Sequence, residues 1–160
     1  MYSDMFMALV SGPLEEPVRF LLLRYFISGS RRKEYALVIG IGWGLAEAVI
    51  VFAAQAPVAA SLGYSWIQLL PGALERNTAI LFHVSMSMLI ALGIMGRLRQ
   101  SCSVILAIIV HSAFNLAAVY LAKSMQNVWL VEAALLVVSL AIFTPIINGF
   151  RRLPEDLPRG

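Results

Sequence analysis

Seven residues set among the apolar stretches of this 160-residue chain could do chemistry: Glu15, Glu16, Arg19, Glu47, His83, His111 and Asn115. A charge at the centre of a bilayer costs about 2.5 to 3.5 kcal/mol on insertion scales, so several are kept only with partners or with a purpose. Glu15 and Arg19 stand four apart, as do His111 and Asn115, and residues at that spacing share a helix face. A carboxylate and two imidazoles around a water-filled cavity can activate water, by general-base action or with a metal, and stabilise the oxyanion formed at a carbonyl. Such a set suits a hydrolase. Without a scissile bond the same Glu and His groups would make a proton relay in a proton-coupled transporter, or the interior of a non-catalytic scaffold. The chain shows no inverted repeat of the kind many transporters carry.

Helices must hold these groups. Apolar residues make up 60% of the chain and charged ones 13%, which excludes an ordinary soluble domain and makes lipid the solvent of the fold. About 20 apolar residues cross a hydrocarbon core of roughly 30 Å, so this length allows about five passes and no separate soluble domain. The pattern predicts helices over about Met5 to Ile27, Tyr35 to Ala54, Leu74 to Met95, Ser103 to Ala122 and Val128 to Phe150. Pro13 and Pro17 predict a kink near Glu15, and Pro145 a bend at the end of the last helix. Gly40 and Gly44 offer a smooth face for close helix contact. The stretch Pro57 to Gly72, with Gly63, Tyr64, Trp66 and Pro71, reads as an interfacial loop or short in-plane helix. The fold class is therefore an all-α polytopic membrane protein, with about five transmembrane helices and a short interfacial segment between the second and third. Residues 1–150 form a single transmembrane domain and 151–160 a short cytoplasmic tail.

Counting about 1.5 Å per residue from the helix ends puts Glu16 at roughly 22 Å from one surface, Glu47 and His83 at roughly 20 Å, and His111 to Asn115 at roughly 16 to 22 Å. Four helices thus deliver polar groups to one layer. Arg31, Arg32, Lys33, Arg97, Arg99, Arg151, Arg152 and Arg159 fall on one side of a five-pass arrangement, opposite Arg76 and Lys123. By the positive-inside rule the amino terminus is outside and the carboxyl terminus cytoplasmic. Basic residues clustered between apolar runs mark topology and not a nucleic-acid face. The first dozen residues lack a basic n-region, so Met1 onwards is expected to belong to the mature chain. Cys102 has no second thiol to pair with. Gly40, Gly42 and Gly44 lack the third glycine and the preceding strand of a dinucleotide fingerprint.

Each polar residue also has a purely structural reading. Glu15 and Glu16 could be neutralised by Arg19 and Arg24 near a kinked helix end, and the two histidines could be interhelical hydrogen-bonding residues. Glu47 could be a metal ligand, the orienting partner of a ligand, or a structural partner of Arg19. Glu75 and Arg76 read as an interfacial helix start, Arg24 and Glu132 as snorkelling residues, and Trp43, Trp66 and Trp129 as belt or packing residues.

The segments Glu15-Glu16-Pro17-Val18-Arg19, Phe82-His83 and His111-Ser112-Ala113-Phe114-Asn115 resemble, in order and helix placement, the three motifs of the CAAX-processing and bacteriocin-processing intramembrane proteases. The helices carrying Trp43 to Glu47 and Glu75 to His83 are most similar to the YhfC-type branch of that superfamily. The resemblance covers nearly the whole chain. It implies cleavage of a peptide bond within or near the bilayer, in a membrane-embedded or lipidated substrate, at the plasma membrane of a prokaryote. Glu15 or Glu16 would activate water, His83 would hold water or a metal, and His111 with Asn115 would hold the oxyanion, with Arg19 and Glu47 in support. The resemblance leaves open whether a metal takes part. If a metal takes part, zinc on His83, His111 and Glu47 is the expectation, although the chain has no HExxH motif. The superfamily's usual first motif has three residues between the glutamates and the arginine. Here there are two, which leaves both glutamates open as the base. Members are often longer, so the chain reads as a minimal core or a fragment.

Overall fold

A computed structural model describes residues 2–30 and 33–153, so Arg31, Arg32, Arg159 and most of the 151–160 tail lie outside the described residues. Among the described residues six α-helices follow in order: α1 (Tyr2–Ser30), α2 (Tyr35–Ala48), α3 (Ala56–Ser61), α4 (Trp66–Ile94), α5 (Gln100–Ser124) and α6 (Val128–Arg151), with a π-helical turn, Val49–Ala53, continuing α2. Helices are what lipid demands, because each satisfies its own backbone groups where no water can. Four stretches are long and apolar enough to cross a membrane: Tyr35–Ser61, Trp66–Ile94, Gln100–Ser124 and Val128–Arg151. The chain is an all-α integral membrane protein. α1 is as long as α4, but Glu15, Glu16, Arg19 and Arg24 interrupt its apolar run.

Contacts at the two ends of the bundle fix the order of the passes. Asp4 at the start of α1 pairs with Lys123 at the end of α5. At the other end Lys33 Nζ donates to the Leu153 carbonyl at 2.9 Å, and Arg24 Nη1 donates to Gln100 Oε1 at 3.2 Å. The start of α1 and the end of α6 therefore lie at opposite ends, as five alternating passes require.

α1 runs through Pro13 and Pro17, and α6 through Pro145, with the prolines inside the helices as expected. One helix start differs by two turns from the sequence expectation. The helix expected from Leu74 begins at Trp66 instead. Gln68 Oε1 accepts from the Ser65 backbone N–H at 2.7 Å and from the Ser65 hydroxyl at 3.0 Å, so a Ser-x-x-Gln cap starts α4 two turns early. Of the expected interfacial segment, Ala56–Ser61 forms the short α3. The early start places Glu75 and Arg76 inside α4, not at its beginning.

Lipid is as apolar as a leucine core, so small and polar residues mark the inward faces here. On α1 the buried positions Ala8, Gly12, Glu16, Arg19, Leu23 and Ile27 recur every three or four residues and make one stripe. On α5, Ser103, Ala107, His111 and Phe114 do the same. α4 runs through the middle, with Phe82 to Gly93 buried throughout, and packs against α2, α5, α6 and α1. α2 lies almost backbone to backbone on it. A Cβ at Gly40 would stand 2.7 Å from Val84 Cα, and one at Gly44 2.7 Å from Ile80 Cα. This approach brings Glu47, one turn beyond Gly44, against His83.

Candidate active site

Glu16 and Arg19 lie on the buried stripe of α1, both 0% exposed, whereas Glu15 is turned one residue off it and is partly exposed. His83 on α4 and His111 on α5 are buried and meet edge to face, with ring centroids 5.4 Å apart. Phe82 stacks on Phe114 at 4.2 Å and stands edge-on to His111, closing the layer beneath them.

The hydrogen bonds assign a role to each ring nitrogen. Arg19 Nη2 lies 2.8 Å from His83 Nδ1. A guanidinium only donates, so Nδ1 accepts and Nε2 carries the ring hydrogen. That hydrogen goes to Glu47 Oε2. His111 Nδ1 lies 2.5 Å from Glu16 Oε1, so with Glu16 ionised Nδ1 donates and Nε2 keeps the lone pair. Each histidine is therefore backed by one carboxylate and presents its other nitrogen. This is the arrangement that orients imidazoles at metal centres and in acid–base dyads.

Around this pair the remaining partners close a network. Arg19 Nη1 stands 3.0 Å from Glu16 Oε1, and Nη2 3.7 Å from Glu15 Oε2. Trp43 Nε1 donates to Glu15 Oε2 at 2.7 Å, and its ring lies 4.8 Å from the Arg19 guanidinium carbon. Arg76 donates to Glu47 Oε1 at 2.9 Å and also to Glu75. Asn115 Nδ2 donates to Ser11 Oγ at 2.8 Å. These contacts join Glu15, Glu16, Arg19, Glu47, His83 and His111, and Asn115 lies beside them, sharing a cavity with Glu47 and His83. Trp43, read from the sequence as a belt or packing residue, and Arg76, read as part of an interfacial helix start, join the network, as does Ser11, which the sequence did not single out. Trp43 and Glu47 are four apart on α2, a spacing that signals a shared face. Glu132 is half-buried, with Oε2 turned inward among the described residues.

The ligand atoms that Glu15, His83 and His111 offer lie within 4.8 Å of one another. Glu47, expected as a ligand, stands behind His83 instead. A carboxylate and two carboxylate-backed histidines have the chemistry of a three-ligand catalytic metal site. The residues therefore fit a divalent cation.

Two cavities meet at Glu47. One is a cleft of about 540 Å³ between α1 and α2, lined by Glu15, Leu22, Ile39, Trp43, Glu47 and Ile50 among others. The second is a small, partly open chamber of about 30 Å³, reached by Glu47, Arg76, His83 and Asn115, large enough for one or two water molecules.

A family model described as YhfC intramembrane metalloprotease matches residues 52–135, more than half of the chain. The match takes in His83, His111 and Asn115, while Glu15, Glu16, Arg19 and Glu47 precede it. No curated protein and no solved structure matches the chain.

Proposed function

The chain belongs to the YhfC intramembrane metalloprotease family, and on that premise we propose that it hydrolyses peptide bonds within the bilayer with Glu15 as the water-activating carboxylate. The observation that carries this reading is the unequal setting of the two glutamates. Glu16 is fully buried and committed to His111 and Arg19, whereas Glu15 faces the cleft. A base must reach its water.

The cleft wall of Leu22, Ile39 and Ile50 suits an apolar peptide segment or a lipidated tail arriving sideways from the bilayer. Glu15 takes a proton from water as it attacks the scissile carbonyl. The second N–H of the Asn115 amide, beyond the one given to Ser11, donates to the developing oxyanion. Glu15 then passes the proton taken from water to the leaving amine, while Glu16, accepting from His111 Nδ1, leaves the Nε2 lone pair of that histidine free for a metal. Glu15, His83 and His111 would hold the family's metal, which supplies Lewis acidity to the carbonyl when bound.

The test is cleavage of a varied panel of membrane-spanning and lipidated peptides by protein in nanodiscs, with and without zinc. Glu15→Gln is expected to lower the rate by about 10² to 10⁴ and leave the melting temperature unchanged. Glu16→Gln should lower both, because it strips Arg19 and His111 of their buried partner. Full cleavage by Glu15→Gln would sink the assignment of the base. No cleavage of any peptide by the intact protein would sink the peptidase reading.

A further inference from the structure

The guanidinium of Arg19 stands among the donors just described. Nη2 takes the lone pair of His83 Nδ1, the nitrogen that Glu47 leaves available for a ligand, and Nη2 is also the atom nearest Glu15. Arg19 therefore holds two of the three donor side chains, and through Glu16 it is tied to the third, His111. Its own satisfaction is incomplete. Arg19 is 0% exposed, yet Nε and Nη1 make no hydrogen bond among the described residues, Nη1 having only its ion-pair contact with Glu16. Glu16 Oε2 is likewise buried without a hydrogen bond. A buried cation whose Nε has no acceptor and whose Nη1 has only an ion-pair contact is incompletely satisfied and costly to keep.

We propose that Arg19 is an internal competitor for the divalent cation: its guanidinium keeps Glu15, His83 and His111 assembled and must leave His83 Nδ1 before a metal can bind all three. The inference rests on the donor set assigned above and adds to it a residue that sets metal affinity. Two positive groups cannot share one imidazole lone pair, so binding and the Arg19–His83 bond are mutually exclusive. If the binding-competent arrangement is populated at only about 1 to 10%, apparent affinity is reduced by that factor, and removing the competitor restores roughly 10- to 100-fold.

The experiment measures zinc affinity by competition with a chromophoric chelator, and melting temperature with and without zinc, for the full chain in nanodiscs. Arg19→Gln is expected to bind zinc at least about tenfold more tightly than the unmodified protein. It should melt lower without zinc and recover on adding it. Arg24→Gln, which removes a cation outside the network, should change neither. Adding His83→Ala to Arg19→Gln should abolish the gain, which ties it to this site. A folded Arg19→Gln protein that binds zinc no more tightly than the unmodified chain overturns the proposal, as does equal tightening by Arg24→Gln. Because Arg19→Gln can fail to fold, a second measurement uses the unmodified protein labelled with ¹⁵N-arginine. The Nη resonances of Arg19, held apart by the bond to His83, should coalesce at saturating zinc, and their persistence would overturn the proposal. Zinc binding by none of the proteins also overturns it, while the peptidase reading still stands or falls on peptide cleavage.

Discussion

Trp43 Nε1 holds one oxygen of Glu15 and leaves Oε1 to accept from water. An aromatic ring without the N–H should keep the packing against Arg19 and lose the orientation of the base. Trp43→Phe is therefore expected to lower kcat about 10- to 100-fold, the usual scale for an orienting partner, with KM and melting temperature little changed. An equal loss in KM alone would assign Trp43 to substrate binding instead. Asn115→Ala should cost about 10² to 10³ in kcat, since one oxyanion donor disappears. Steady-state kinetics on a single cleaved peptide check both. Asn115 was legible from its four-residue spacing to His111. Trp43 was not, because an indole in a membrane helix is usually a packing or interfacial residue.

α2 carries three glycines in alternation, and the fold uses them differently. Gly40 and Gly44 lie against the α4 backbone, whereas nothing stands within 4 Å of a Cβ at Gly42, which faces the cleft. Gly40→Ala and Gly44→Ala should each destabilise the bundle by about 1 to 3 kcal/mol through overpacking, seen as lower melting temperatures. Gly44→Ala should also reduce activity, because the displaced turn carries Glu47 away from His83. Gly42→Ala should be neutral in both respects. Gly42→Trp should leave the fold intact and block cleavage by filling the cleft. Full activity in Gly42→Trp would show that substrate does not enter between α1 and α2.

Across the whole molecule the charges are unevenly divided. Lys33, Arg97, Arg99, Arg151 and Arg152 gather at the end where Leu153 meets Lys33, and Lys123 sits at the other with Asp4. We take the basic end as cytoplasmic. In a Cys102→Ser background, cysteines placed singly at Lys33, Arg97 and Arg151 should react with an impermeant thiol reagent only after the cells are opened. Lys123→Cys should react in intact cells. Labelling of Lys33→Cys and Arg97→Cys from opposite sides would break the five-pass topology, and uniform reversal would invert the orientation alone.

Composition and run length were enough to indicate the solvent and the helical class, because only a helix satisfies its backbone in lipid and about 20 residues span it. Residue spacing along each axis also set the depth at which Glu16, Glu47, His83 and His111 would lie. What spacing could not supply is how each helix is rotated against its neighbours. In a chain apolar on every face, hydrophobic periodicity carries no inward direction, since lipid and core are alike to a leucine. The tertiary structure decided that Glu16 backs His111, that Glu47 backs His83 and that Glu15 faces the cleft. It also drew Arg76 into the layer by starting α4 at a Ser65–Gln68 cap, which the nearby Gly63 and Pro71 had disguised as a loop. Those pairings depend on where α2 can touch α4, and Gly40 and Gly44 permit that contact without specifying its partner until Val84 and Ile80 meet them.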